Sequence, residues 1–234
     1  MPKLSIIVPV FNEEKTVASV MDALAGMFPH EQIIYVNDGS RDQSLEIMKS
    51  HARPFDASQG KPQDLVLTKE NGGKGSAVRE GLKHAEGMYC TIQDADLEYD
   101  PAEIKTLLAY AEAHPGSVVF GSRFLKPNPN LYPLYLFGNK VLTWFLDLLF
   151  SARLTDSYTC YKLFPTEILK SLPLKARGFE LEAELTCYPL KKRIPIVELP
   201  ITYHPRTFEE GKKIGWKDAL KGLWTMLKIR LERS

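Results

Sequence analysis

The sequence predicts an α/β protein with a mostly parallel sheet flanked by helices. Two observations lead there. Short runs rich in β-branched residues alternate with helical patterns through the first half, as in βα units, and each run stops at a cluster of polar residues, often with glycine, where a strand turns toward its helix. A chain of 234 residues is long enough for one large core and short enough to remain one domain.

Strands are expected at 4–10, 32–37, 64–68, 88–93 and 117–121. Helices are expected at 14–27, 43–51, 74–85 and 101–114, the last with Asp100 as N-cap and Pro101 at its first helical position. The stretch 53–63 reads as a loop. The alternation stops after Gly121, and residues 125–136, rich in Pro and Asn, read as a loop or acceptor-side lid. Val141, Leu142, Trp144, Phe145, Leu148 and Leu149 then recur at helical spacing, giving one apolar face directed either to the core or to a membrane. The most apolar window, 131–150, is interrupted by Pro133, Asn139, Lys140 and Asp147, so no membrane span is expected.

The 30 Lys plus Arg nearly balance 29 Asp plus Glu, which gives no support to nucleic-acid binding. Positive charge concentrates in residues 212–234, with seven basic residues against two acids. Cys90, Cys160 and Cys187 are odd in number and lack Cys-x-x-Cys spacing, which argues against a disulfide framework or a zinc site and for a reducing cytoplasm. The apolar run after Met1-Pro2-Lys3 is too short for a signal peptide and reads as a first strand.

In a parallel α/β sheet, ligands bind beyond the carboxyl ends of the strands. Those ends carry Pro9, Phe11, Asn12, Glu13 and Glu14; then Asn37, Asp38, Gly39, Ser40 and Asp42; then Asn71-Gly72-Gly73-Lys74-Gly75; then Asp94, Asp96 and Glu98; and finally Ser122-Arg123. Asp94 and Asp96, two residues apart at a strand end, suit a hard divalent cation, Mg²⁺ or Mn²⁺, which takes one or two carboxylates and completes its shell with phosphates and water. A solvated turn would account for the same pair. Asp38 is a candidate acceptor for base N–H groups or a turn residue, and Ser40 or Asp42 is expected to cap the following helix. Neither a P-loop nor a Gly-x-Gly-x-x-Gly pattern is present. Lys74 at a helix N-terminus still suits an anion, and Arg123 would clamp a phosphate oxygen.

The runs Ser5-Ile6-Ile7-Val8-Pro9-Val10-Phe11-Asn12-Glu13-Glu14, Val36-Asn37-Asp38-Gly39-Ser40-Arg41-Asp42, Asn71-Gly72-Gly73-Lys74-Gly75 and Asp94-Ala95-Asp96 resemble the family-two glycosyltransferases of GT-A fold, and Gly121-Ser122-Arg123 is similar to their polyprenyl-phosphate branch. The resemblance implies a nucleoside-diphosphate sugar donor, GDP-mannose or a UDP-hexose. Pro9, Phe11, Glu13 and Asp38 would surround base and ribose. Asp94 and Asp96 would hold metal and diphosphate, with Glu98 near the metal where that branch often has Gln.

In the second half, Asp156-Ser157-Tyr158-Thr159-Cys160-Tyr161-Lys162 resembles a family segment that usually has Gly where Cys160 stands, placing Asp156 near acceptor or sugar. Glu182, in an acidic helix, would meet sugar hydroxyls, whereas Glu184 reads as a solvated face. Arg206 and Lys213 would meet phosphates, and Lys212 replaces the family's Ser.

The resemblance divides the chain into a nucleotide-sugar half, 1–124, an acceptor half, 125–211, and a basic helix, 212–234. In that helix Trp216, Ala219, Leu220, Leu223, Trp224, Leu227 and Leu231 fall on one arc flanked by Lys217, Lys221 and Lys228. The arc fits a peripheral cytoplasmic membrane face, packing on the domain, or a homodimer contact. Three functions follow: metal-dependent inverting transfer of a hexose to a polyprenyl phosphate, transfer to a soluble or glycan hydroxyl, or non-catalytic binding of a nucleotide sugar or lipid headgroup. In the first, Asp96 and Arg123 would carry leaving-group stabilisation; in the second, Asp156 or Glu182 would be the base.

Overall fold

A computed structural model describes residues 2–54, 64–128, 133–205 and 216–232, giving the backbone alone for 133–135 and 216. The expected loop after Arg53, residues 129–132 of the stretch at 125–136, and both Arg206 and Lys213 lie outside the described residues; from Pro133 onward that stretch is helix rather than the expected loop or lid.

Seven strands form one sheet: β1 (Leu4–Val10), β2 (Gln32–Asn37), β3 (Leu65–Thr68), β4 (Tyr89–Ile92), β5 (Val118–Ser122), β6 (Lys162–Pro165) and β7 (Ile196–Pro200). Their order is β3-β2-β1-β4-β6-β5-β7. All pairings are parallel except those of β6, which runs against both β4 and β5. The central strands β1 and β4 are buried along nearly their whole length, as expected of strands covered on both faces.

Helices α1 (Val17–Met27), α2 (Ser44–His51), α3 (Lys74–Lys83) and α4 (Glu103–Ala113) follow the first four strands. Helix α4 begins two residues later than expected, after a turn at Pro101-Ala102, but Asp100 Oδ1 does accept the Ala102 N–H at 2.9 Å. Asp42, rather than Ser40, serves the start of α2, accepting the Ser44 N–H at 3.1 Å.

The second half adds α5 (Pro133–Phe150), α6 (Thr166–Lys170), α7 (Leu181–Lys191) and α8 (Trp216–Leu231). Helix α7 is buried from Leu181 through Pro189 and is packed against both α5 and α8, which also touch each other. Such all-round burial marks an internal helix.

The structure splits the apolar arcs of the outer two helices between the core and the surface. Helix α8 buries Gly222, Met226 and Ile229, because a Cβ at 222 would collide with the Tyr158 hydroxyl and only glycine lets the helix settle there. Leu220, Trp224 and Leu231 of the expected apolar arc remain exposed. Helix α5 likewise buries Leu142 and Leu146 but exposes Phe137, Val141, Trp144 and Leu148. Among the described residues no helix is long and apolar enough to cross a membrane.

Candidate functional site

Parallel β1, β2, β3 and β4 bring their carboxyl ends to one rim, and the loops there are stitched together by side chains. The Asn12 N–H donates to Ser40 Oγ at 3.0 Å and its Oδ1 accepts the Arg41 N–H at 2.9 Å, tying the β1 loop to the β2 loop. Asn12 holds a left-handed φ of 53°, which Asn tolerates better than most residues. Thr16 Oγ1 donates to the Ala95 carbonyl at 2.7 Å, linking the first loop to the fourth. Pro9, Phe11 and Glu13 are half-buried along this rim.

Asp38 is almost fully buried and takes three donors: the Gly72 N–H at 3.0 Å, the Gly73 N–H at 2.7 Å and Lys69 Nζ at 2.6 Å. Its carboxylate therefore shapes the glycine loop. On the loop's other side, a Cβ on Gly73 would lie 2.5 Å from the Arg177 carbonyl oxygen and one on Gly75 2.6 Å from that of Ala176; Gly73 also has φ +88°. The Ser76 N–H donates to the Arg177 carbonyl at 3.1 Å. These three amides face protein acceptors and are not directed at the anion expected at this helix start.

The 175–178 segment is held from beneath by α7. Glu184 Oε2 accepts the N–H groups of Lys175 and Ala176, each at 2.9 Å, and Glu180 Oε1 accepts those of Arg177 and Gly178, each at 3.0 Å. Glu184, expected on a solvated face, is instead buried: two backbone donors offset its removal from water. Sequence reading missed this use of the acidic helix, for which the only signal was three carboxylates in five residues.

Lys74 Nζ lies 2.8 Å from Asp94 and 3.1 Å from Glu182. Burial disfavours its charge, but Asp94 foremost and Glu182 beside it raise the ammonium well above the ordinary lysine range. Glu182 also pairs with the fully buried Lys162, which donates to the Thr159 carbonyl at 2.7 Å. Although burial acts to raise it, Lys162 and Lys74 together hold the Glu182 carboxyl below its ordinary value. Cys160 packs here, its Sγ 3.8 Å from Lys74 Nζ.

Strand β4 ends at Ile92, so Asp94 and Asp96 stand on a turn, and strand alternation does not set their directions. Asp94 faces Lys74, while Asp96 Oδ1 accepts the Glu98 N–H at 3.1 Å across Leu97, which has φ 61°. Glu98 turns away, its Oε2 accepting the Tyr203 hydroxyl at 2.8 Å. Among the described residues no group of three or more His, Cys, Asp or Glu side chains is placed to hold an ion, so Glu98 does not complete the expected three-carboxylate set. The remaining hard oxygen donors, Asp94 and Asp96, still fit Mg²⁺ or Mn²⁺ in the mode where substrate phosphates supply the other ligands.

Arg123 and Asp156 meet each other. Asp156 Oδ2 accepts Arg123 Nε at 2.7 Å and its backbone N–H at 3.1 Å, and Oδ1 accepts Nη2 at 2.7 Å. Both residues are buried, and Asp156 draws the guanidinium's affinity for its proton upward despite the burial. The guanidinium also lies over the Tyr203 ring at 5.1 Å. Glu198 on β7 accepts the N–H groups of Thr155 and Asp156 at 2.7 and 2.8 Å, fixing the turn that presents Asp156. Neither member of the pair was expected to engage the other.

This strand order, with one reversed strand and an acidic turn on the carboxyl rim, defines the GT-A fold. Solved structures show it as well: glucosyl-3-phosphoglycerate synthase from Mycobacterium tuberculosis, in complex with Mn²⁺, uridine diphosphate and phosphoglyceric acid, aligns with TM-score 0.75 at 17% identity, over 100% of this chain and 80% of that one. The chain belongs to glycosyl transferase family 2, whose profile matches residues 5–169. It is 27% identical over 226 residues to the low-salt glycan biosynthesis hexosyltransferase Agl6 of Haloferax volcanii, covering 92% of this chain and 52% of that protein. It is 27% identical over 183 residues to the dodecaprenyl-phosphate galacturonate synthase of Rhizobium johnstonii, with 74% and 50% covered. The dolichyl-phosphate beta-glucosyltransferase of Dictyostelium discoideum is 26% identical over 229 residues, with 90% and 68% covered. The chain thus spans about half the length of the first two relatives.

Proposed function

We propose that the protein transfers a hexose from a nucleoside-diphosphate sugar to a polyprenyl phosphate at the cytoplasmic face of a membrane, with inversion at the anomeric carbon. The observation that carries the choice of acceptor is the state of the two candidate bases. Asp156 is buried against Arg123, and Glu182 is buried between two lysines that lower its proton affinity. A hydroxyl nucleophile needs a base with proton affinity near the working pH. A phosphate monoester, with its second pKa near ~6, is already largely anionic and needs none.

In this reading Pro9, Phe11 and Glu13 border the base and ribose, Asp38 sets the glycine loop, and Lys74 offers its ammonium to the diphosphate. Asp94 and Asp96 would hold Mg²⁺ or Mn²⁺, which supplies positive charge for the departing diphosphate. Arg123 and Asp156 position the wall around Tyr203, while Arg206 and Lys213 remain candidates for phosphate contact. UDP-hexoses rank ahead of GDP-mannose because the solved neighbours hold uridine diphosphate.

The test is incubation of purified protein with Mn²⁺ or Mg²⁺, a panel of UDP- and GDP-sugars, and either a short polyprenyl phosphate or phosphoglyceric acid, with products read by mass. A glycosylated lipid phosphate is the expected product. Transfer to phosphoglyceric acid alone would favour a soluble acceptor, the class bound by the solved neighbour. Donor binding with neither product would leave a non-catalytic binding module.

A further inference from the structure

Lys74 Nζ reaches both oxygens of Asp94, lying 2.8 Å from Oδ1 and 3.1 Å from Oδ2, and Glu182 Oε1 lies 3.1 Å away on its inner side. Glu182 Oε2 in turn meets Lys162. Asp94, Lys74, Glu182 and Lys162 thus form a row in which charges alternate and sum to zero. The row is graded from surface to core: the Asp94 side chain is 21% exposed and that of Lys74 12%, whereas Glu182 and Lys162 are buried.

Of the four, Lys74 is the one that can move at little cost to the fold. Lys162 sits within β6 and donates to the Thr159 carbonyl as well as to Glu182, so Glu182 keeps a countercharge when Lys74 swings away. Asp94 is held through its neighbours, Gln93 Nε2 donating to the Asp94 carbonyl at 2.9 Å and Thr16 Oγ1 to that of Ala95 at 2.7 Å. Gly73, pinned by Asp38 and the Arg177 carbonyl, fixes the start of α3, which leaves rotation of the flexible lysine stem as the available motion. A divalent cation drawn to Asp94 and Asp96 therefore meets a carboxylate whose two oxygens already hold an ammonium, and the two positive charges repel. A diphosphate arriving with the cation offers that ammonium another anion.

We propose that Lys74 is a built-in placeholder for the divalent cation: it occupies Asp94 in the unliganded protein and releases it when a nucleoside diphosphate takes up its ammonium, so that metal alone is held weakly and metal and nucleotide enter as a pair. The inference rests on the metal assignment of the reading above and is independent of the acceptor. Because coupling between two ligands is reciprocal, it is measurable without turnover. Mn²⁺ binding to full-length protein would be followed by electron paramagnetic resonance of the free ion, with Mn²⁺ alone and with UDP or GDP added.

Lys74→Met, and Lys74→Gln as a second neutral variant, should bind Mn²⁺ alone about tenfold or more tightly than the wild type. The factor by which nucleotide strengthens Mn²⁺ binding should fall by about the same ratio. Lys74→Arg, which keeps the charge, should stay near the wild type, and the gain should vanish in Lys74→Met/Asp94→Asn. Circular dichroism melting would identify which variants are folded. Three results would overturn the proposal: unchanged affinity for Mn²⁺ alone in the folded neutral variants, an equal gain in Lys74→Arg, or a gain that survives Asp94→Asn. Nucleotide-dependent Mn²⁺ binding alongside any of these would leave the metal assignment standing. No Mn²⁺ binding by any of the proteins, with or without nucleotide, would sink the metal assignment and the placeholder together.

Discussion

Replacing Asp156 by Asn separates a structural ion pair from a catalytic base. Three N–H donors of Arg123 converge on the two Asp156 oxygens at 2.7 to 3.1 Å. Asn offers one oxygen, turns an NH₂ toward at least one of those donors, and leaves the buried guanidinium without its countercharge. Breaking a buried pair from one side costs about 3–5 kcal/mol. For a chain of this size each kcal/mol moves the melting temperature by about 2–4 °C, so Asp156→Asn should melt roughly 6–20 °C below the wild type. Arg123→Met/Asp156→Leu, which removes both charges, should recover part of that loss, with a coupling of about 1–3 kcal/mol in the double-mutant cycle. Thermal and urea unfolding followed by circular dichroism would measure each corner. A melting point within a degree or two of wild type, together with collapsed turnover, would refute the reasoning and return Asp156 to the role of base.

Asp96→Asn should lower turnover by roughly a hundredfold or more while hardly changing stability, since Asn can still accept the Glu98 N–H; near-normal rates with Mn²⁺ would exclude Asp96 from the metal site. Gly75→Ala should destabilise by about 1–3 kcal/mol, because its Cβ would press within 2.6 Å of the Ala176 carbonyl, and urea midpoints would detect it. The depressed Glu182 carboxyl makes stability pH-dependent in one direction. Its contribution is present above its ordinary value of 4.5 and is lost as pH falls through the lower folded value. The stability gap between wild type and Glu182→Gln should therefore be full at pH ~7 and shrink under acid; a gap that widens on acidification would contradict the assignment.

The first-half strands were legible because they are continuous apolar runs, and β1 and β2 fall where expected to the residue. Strand β6 was not, because its Lys162 is a charge in a buried strand, sustained by a glutamate 20 residues away. Pairings such as Lys74 with Glu182, separated by 108 residues, leave no local signature. Periodicity identified α5 and α8 as amphipathic but could not say which apolar stripe the core would take. For α8 the answer lay in Gly222, a residue that hydropathy ignores and close packing against Tyr158 requires. The geometry at Asp94 and Asp96 was not legible, because β4 ends two residues before the first of them.

Strand β6, contributed by the second half, lies between β4 and β5 of the first. Scission after residue 124 would leave β4 with one unsatisfied flank and β5 with neither of its partners, raw edges of the kind that recruit other chains. The nucleotide-sugar half and the acceptor half are therefore names for ligand-facing regions rather than separable folding units. An isolated amino-terminal piece should aggregate instead of capturing donor, and co-expressed complementary fragments are the arrangement in which a divided chain would regain a closed sheet.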